Sequence, residues 1–206
     1  MAYIWDLDGT LIDSYPGIME SLLNVLDYYH IKLEKDYVYN YIMQNSVSDF
    51  LSFISKEYSL DLDLVRKKNR EFEIKTEKNV ELISGALETL KGIKERGDLN
   101  FLYTHKGEAT KDILKNLGIF EYFTLVLTSE NNFKRKPDPE AINYIIDKYS
   151  LKRSDTYYVG DRPLDILCAK NANINGILFL RSDSPIKMDY PNVINDLIDL
   201  LKWATI

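Results

Sequence analysis

The chain has 206 residues, 28% of them charged and 45% hydrophobic, with a formal net charge of −6. That size and composition describe one globular domain, or one domain carrying an insert. The acidic balance, with a pI of about 5.1, argues against a general nucleic-acid-binding surface.

Basic residues cluster only in short runs, Arg66-Lys67-Lys68 and Lys134-Arg135-Lys136. One cysteine, Cys168, excludes an intramolecular disulfide and a Cys-rich zinc site. Two histidines, His30 and His105, leave little material for a His-based metal centre. The opening Met1-Ala2-Tyr3-Ile4-Trp5-Asp6 has no basic region before its apolar run, so no signal peptide is expected. No apolar run approaches the roughly 18 residues of a membrane span. The expected location is the cytoplasm, with no membrane or nucleic-acid partner. No glycine or proline occurs from residue 18 to residue 84, although the chain has nine and six of them. A repetitive all-β protein needs a turn every 8–12 residues or so, so the gap argues against that class and points to two parts built on different rules.

In chain order, residues 2–5 read as a short buried strand ending at Asp6. From about Ile18 to Glu81 the pattern is helical. Ile18, Leu22, Val25, Leu26 and Tyr29 fall on one helix face. Ser48-Asp49 is expected to cap a helix through Phe50, Leu51 and Ile54, and Asp61 or Asp63 another. Tyr37-Val38-Tyr39-Asn40-Tyr41 is strand-like by propensity but has no turn partner nearby, so it is read as helical.

After Gly85, strands and helices alternate. Helices are expected over 86–96, over 108–117, from Asp138-Pro139-Glu140 through Tyr149, and from Pro163 to about Asn171. A last helix is expected to carry Val193, Ile194, Leu197, Ile198 and Leu201. Strands are expected over 101–103, 125–127, 156–159 and 177–180. This alternation implies an α/β fold with a parallel sheet covered on both faces. Ligands in such folds bind beyond the carboxyl ends of the strands.

The residues at those ends carry the chemistry. Asp6 and Asp8 are two apart, so in extended chain they point the same way, and Gly9 permits a sharp turn. Two adjacent carboxylates repel, raising the pKa of one unless a cation lies between them. Asp161, from another strand, offers a third oxygen. An oxygen-only site of this kind suits Mg²⁺, which keeps waters and shares its remaining positions with a phosphate. The spacing excludes an EF-hand. Thr104 and the N–H groups after it are read as opening a helix, which makes an anion cradle. Lys136 precedes Pro137 and is therefore expected in extended backbone.

Together these segments resemble the four motifs of the haloacid dehalogenase superfamily. Asp6-Leu7-Asp8-Gly9-Thr10 resembles the first, Thr104 the second, Lys136 the third, and Gly160-Asp161 with Asp165 the fourth. The helical insert after the first motif, entered through Leu11-Ile12-Asp13-Ser14, is similar to that of the phosphoglycolate phosphatase-like branch. The resemblance implies a three-layer, Rossmann-like parallel-sheet core (1–14 and 82–206) with an inserted all-helical cap domain (15–81).

It implies roles as well. Asp6 is the expected nucleophile, forming an aspartyl-phosphate. Asp8 is the expected general acid and then base. Thr104, the His105 backbone N–H and Lys136 are expected to hold phosphate, and Lys136 also to keep Asp6 ionised. Mg²⁺ is expected on the Asp6 carboxylate, the Asp8 carbonyl and Asp161, supported by Asp165.

Two residues depart from the family pattern. Arg162 stands where a small hydroxyl residue is common, and a nearby salt bridge is preferred for it over substrate contact. His105 stands where Asn or Ser is common, and its side chain is read as supporting rather than contacting substrate. Asp8 implies C–O–P chemistry, and Thr10 favours a phosphatase over a phosphosugar mutase. A non-catalytic binding protein on the same scaffold is the remaining alternative. The expected partner is a small phosphorylated metabolite. A polar patch of Gln44, Asn45, Ser46 and Ser48 is expected to face it, while the tyrosines of the insert are expected mainly to pack. No feature sets an oligomeric state.

Overall fold

The computed structural model describes residues 1–76 and 80–203. Residues 77–79 of the expected insert and 204–206 of the expected core lie outside the described residues. The chain divides into two compact units, one of Met1–Asp13 with Glu81–Ile206 and one of Ser14–Val80. In chain order the elements begin with β1 (Ala2–Trp5), β2 (Ile12–Asp13), α1 (Tyr15–Tyr28), α2 (Lys35–Gln44), α3 (Val47–Glu57) and α4 (Leu62–Thr76). There follow β3 (Glu81–Leu82), α5 (Ala86–Glu95), β4 (Leu99–Tyr103), α6 (Thr110–Asn116), β5 (Leu125–Leu127) and α7 (Glu140–Tyr149). The last are β6 (Thr156–Gly160), α8 (Pro163–Asn171), β7 (Asn175–Phe179), β8 (Val193–Ile194) and α9 (Leu200–Trp203).

The first unit is built on a six-stranded sheet in the order β5-β4-β1-β6-β7-β8. Every pairing in it is parallel. β1 is buried along its whole length, as a strand covered on both faces must be. Its side chains alternate. Ala2 and Ile4 join Phe101, Ile142, Ile145, Tyr158 and Ala169 in the core under α7 and α8. The Trp5 indole instead donates to Asn100 Oδ1 (2.9 Å), and Asn100 Nδ2 donates to the Leu90 carbonyl of α5 (3.0 Å). β2 and β3, where the chain leaves and re-enters this unit, pair antiparallel.

The second unit is helical. Its core is Leu22, Val25 and Leu26 of α1, Val38 and Ile42 of α2, Phe50, Leu51 and Ile54 of α3, and Val65 of α4. The tyrosine run at 37–41 lies within α2, where tertiary packing of Val38 overrides strand propensity. Tyr41 packs on Phe50 and Phe53 with ring centroids 5.5 and 5.3 Å apart.

Several local expectations give way. The α3 cap is Ser46, whose hydroxyl accepts from the Asp49 N–H at 3.1 Å, rather than Ser48 or Asp49. Asp61 caps α4, accepting from Asp63 N and Leu64 N. The helical pattern read as running to Glu81 ends earlier, since Glu81–Leu82 is a strand. The last helix expected from Val193 is instead an edge strand, β8, paired with Leu178 and Phe179, and α9 begins only at Leu200. Val193 and Ile194 are β-branched and meet an open sheet edge, while Asp196 caps the turn that follows.

The helix expected from residue 108 starts at Thr110. Thr110 closes a turn on Gly107, its Oγ1 donating to the Gly107 carbonyl at 2.7 Å. Among the described residues no helix is long and apolar enough to cross a membrane.

Candidate active site

Because the sheet is parallel, the carboxyl ends of β1, β4 and β6 lie on one edge, with β1 between the other two. Asp6 follows β1, Thr104 follows β4 and Asp161 follows β6. The Asp6 N–H donates to the Val159 carbonyl at 2.9 Å, extending the ladder one residue beyond the strand. Beyond it, Gly9 has a φ of 79°, a left-handed conformation that favours glycine. The turn closes through Leu11 N and Ile12 N, both donating to the Leu7 carbonyl.

Asp6, Asp161 and Asp165 form one acidic group, with one carboxylate oxygen from each within 4.8 Å of the others. All three are buried. Asp165 reaches the group from the first turn of α8, packed over Gly160. A Cβ on Gly160 would sit 2.4 Å from the Asp165 Cβ, so glycine is required for that approach. Lys136 enters from the loop before α7 and is itself buried. Its Nζ donates to Asp6 Oδ1 at 2.7 Å and to Asp165 Oδ1 at 2.9 Å. The ammonium lies 5.3 and 5.1 Å from the ring centroids of Tyr103 and Tyr158, so aromatic faces complete its surroundings. The peptide bond between Lys136 and Pro137 is cis.

These contacts set the electrostatics. Burial pushes the Asp6 carboxyl up; Lys136 and Arg162 pull it back and Asp165 adds to the rise. Burial alone would lower the Lys136 ammonium, but the Asp165 and Asp6 carboxylates outweigh it and hold it above its ordinary value. Burial also drives the Cys168 thiol up to about 12, which removes it as a nucleophile. Asp6 Oδ2 is buried and has no hydrogen-bond partner among the described residues.

The structure distributes the other expected residues differently. The Asp8 carboxylate is not part of the acidic group. Its Oδ1 lies 3.4 Å from Lys106 Nζ, so an ammonium faces the Asp8 side chain. Thr104 does not cap a helix, because α6 starts six residues later. Instead Thr104 Oγ1 accepts from the Lys106 N–H at 3.1 Å, in a side-chain turn that leaves the hydroxyl proton for another acceptor. Thr10 is buried, and its hydroxyl donates to Asp161 Oδ1 at 3.4 Å.

The His105 side chain supports the lysine loop. Its Nε2 accepts from the Lys136 N–H at 3.0 Å, which assigns the ring proton to Nδ1. Burial, then the charges of Lys136, Arg135 and Arg162, lower its pKa to about 2. Arg162 Nη2 lies 3.6 Å from Asp6 Oδ2, and its Nε lies 3.9 Å from Asp161 Oδ1.

Gln44 ends α2 and Asn45 follows it, both exposed, in the helical unit. Asn45 Nδ2 donates to the Tyr41 carbonyl at 3.0 Å, and Ser46 serves as the α3 cap. Sequence reasoning missed Lys106, Tyr103 and Tyr158. The first stands two residues after Thr104, and the tyrosines lie on strands flanking β1. Those positions were the available signal.

Comparison with known proteins places the chain in a family. The family model of haloacid dehalogenase-like hydrolases matches residues 3–179. A phosphoglycolate phosphatase of Vibrio parahaemolyticus is 31% identical, covering 98% of this chain and 95% of that protein. A pyrophosphatase PpaX of Halalkalibacterium halodurans is 28% identical, covering 96% and 94%. The crystal structure of a predicted phosphoglycolate phosphatase from Haemophilus somnus shares the fold, with a TM-score of 0.83 at 21% identity over 99% of this chain and 97% of that one. The chain belongs to the haloacid dehalogenase-like hydrolase family, as a phosphatase of its phosphoglycolate phosphatase-like branch.

Proposed function

We propose that the chain hydrolyses small phosphate monoesters through a phosphoenzyme on Asp6, with Mg²⁺ as cofactor. The observation that carries this reading is the state of Asp6. One oxygen is tied to Lys136, while Oδ2 is buried without a hydrogen bond, on a residue grouped with two further buried carboxylates. A hard divalent cation fits that donor set. Asp6 and Asp161 would hold it, and when bound it neutralises charge on the phosphoryl group.

The chain's own residues perform the steps. The Thr104 hydroxyl and the Lys136 ammonium hold phosphoryl oxygens. An Asp6 carboxylate oxygen attacks phosphorus, forming the O–P bond as the bond to the substrate oxygen breaks. Asp8 gives its proton to that leaving oxygen. Asp8 then takes a proton from water, whose oxygen attacks phosphorus and releases the Asp6 carboxylate with inorganic phosphate. Before attack and after release, Lys136 favours the ionised form of Asp6 against the cost of burial. Lys106 fixes the Asp8 carboxyl at the rim. Most of the acceleration is positioning and fixed charge, as phosphoryl transfer requires.

The test is phosphate release from a panel that includes 2-phosphoglycolate, pyrophosphate and sugar phosphates, with Mg²⁺. Asp6→Asn is expected to lower the rate by about 10³-fold or more, as loss of a nucleophile does. Release at the wild-type rate from Asp6→Asn would remove Asp6 from this role.

A further inference from the structure

Lys136 and Arg162 meet the same carboxylates in different ways. Lys136 makes two short hydrogen bonds, to Asp6 Oδ1 and Asp165 Oδ1. Arg162 stands at 3.6 Å from Asp6 Oδ2 and 3.9 Å from Asp161 Oδ1, distances of charge attraction rather than of hydrogen bonding. Its backbone is fixed: Arg162 N donates to Asp165 Oδ2 at 3.2 Å, and Pro163 opens α8 directly after it. The guanidinium ends a flexible stem, and the side chain as a whole is 13% exposed, which leaves part of it open to solvent. Among Asp6, Asp161, Asp165, Lys136 and Arg162, two cations face three carboxylates, which leaves one negative charge.

We infer that Arg162 is a built-in counter-ion that competes with the divalent cation for Asp6 Oδ2 and Asp161. Without metal, the guanidinium offsets the repulsion between these two buried carboxylates. When a divalent cation enters, like charges at that separation repel and the guanidinium swings outward on its fixed backbone. Lys136 stays, because its partners are Asp6 Oδ1 and Asp165. Arg162 therefore stabilises the metal-free fold and weakens metal binding, two effects that follow from one pair of contacts. The inference rests on the reading above that Asp6 and Asp161 hold the cation.

The test uses metal-free full-length chain, wild type against Arg162→Ala and Arg162→Lys. Titration calorimetry with MgCl₂ reads affinity, and thermal unfolding in EDTA reads metal-free stability. Arg162→Ala is expected to bind Mg²⁺ about tenfold more tightly or better, since a competing unit charge is removed. It is also expected to unfold at a lower temperature in EDTA and to gain more from added Mg²⁺ than wild type does. Arg162→Lys keeps the charge on a narrower head and is expected to fall between.

Equal or weaker Mg²⁺ binding by Arg162→Ala, or unchanged or higher thermal stability in EDTA, overturns the inference and leaves the metal site standing. If Arg162→Ala does not fold without metal, Arg162→Lys decides: tighter binding than wild type supports the inference, and equal or weaker binding overturns it. If wild type takes up no Mg²⁺, the metal reading falls and this inference with it.

Discussion

The two compact units bury their polar groups by opposite rules. The sheet unit buries Asp6, Asp161, Asp165 and Lys136. The buried polar residues of the helical unit are Ser14, Ser21, Ser55 and Asn69, none of them charged among the described residues. There the polar contacts are short and neutral, as where the Ser21 hydroxyl donates to Asn69 Oδ1 at 3.0 Å. Burying charge costs several kcal/mol per ion unless partners are held in good geometry. The sheet unit meets that cost by drawing partners from three separate chain segments to one edge. A protein gains nothing in stability from such a cluster that an apolar core would not supply, so the difference locates the chemistry.

The largest test of this contrast is Lys136→Met. It leaves two buried carboxylates without their ammonium and is expected to destabilise the sheet unit by about 3–5 kcal/mol. Urea unfolding measures the loss. Hydrogen exchange should confine it to amides of β1, β4 and β6, with α1–α4 protected as before. Uniform loss of protection across both units would mean that the cluster does not set the stability of one unit alone.

The next largest effect is one of pH. The His105 imidazole stays neutral in the fold down to about pH 2, whereas its ordinary value is 6.5. Between those values the unfolded chain binds more protons than the folded one. Stability therefore falls as the pH drops below 6.5, by up to about 1.4 kcal/mol per pH unit from this group. His105→Gln keeps an acceptor for the Lys136 N–H without a titrating ring. Its unfolding midpoint should vary less between pH 7 and pH 5 than that of wild type. An equal slope in the two proteins would show that His105 is not the source.

The smallest effect belongs to the helical unit. Ser46→Ala removes the α3 cap and should cost about 1 kcal/mol, the usual value for such a cap. Thermal unfolding checks it, with phosphate release by the folded protein as control. A loss matching that of Lys136→Met would erase the contrast between the units.

Much of the site is legible in the linear order of residues. Asp6, Thr104, Lys136, Asp161 and Asp165 each stand where a strand end or its loop is readable from apolar runs and turn residues. The local pairings are less legible. Asp6 and Asp8 look equivalent in sequence, but the turn after Asp6 sends Asp8 to Lys106, and no periodicity encodes that pairing. Thr104 reads as a helix cap because a helical pattern follows, yet Gly107 and Thr110 close a separate turn before the helix begins. Val193 and Ile194 fit a helical spacing and still pair as a strand, because only the folded sheet offers them an edge.

The sequence by itself determined the alternation that builds a parallel sheet, the helical insert marked by a gap in glycine and proline, and the residues brought to the strand ends. Local propensity and short-range pattern suffice for these. The tertiary structure alone decided which carboxylates meet, that Lys136 ties Asp6 to Asp165, and that Arg162 faces the remaining oxygen of Asp6. Those contacts join residues up to 156 positions apart in the chain, and their energies depend on distance and burial, which no linear pattern carries.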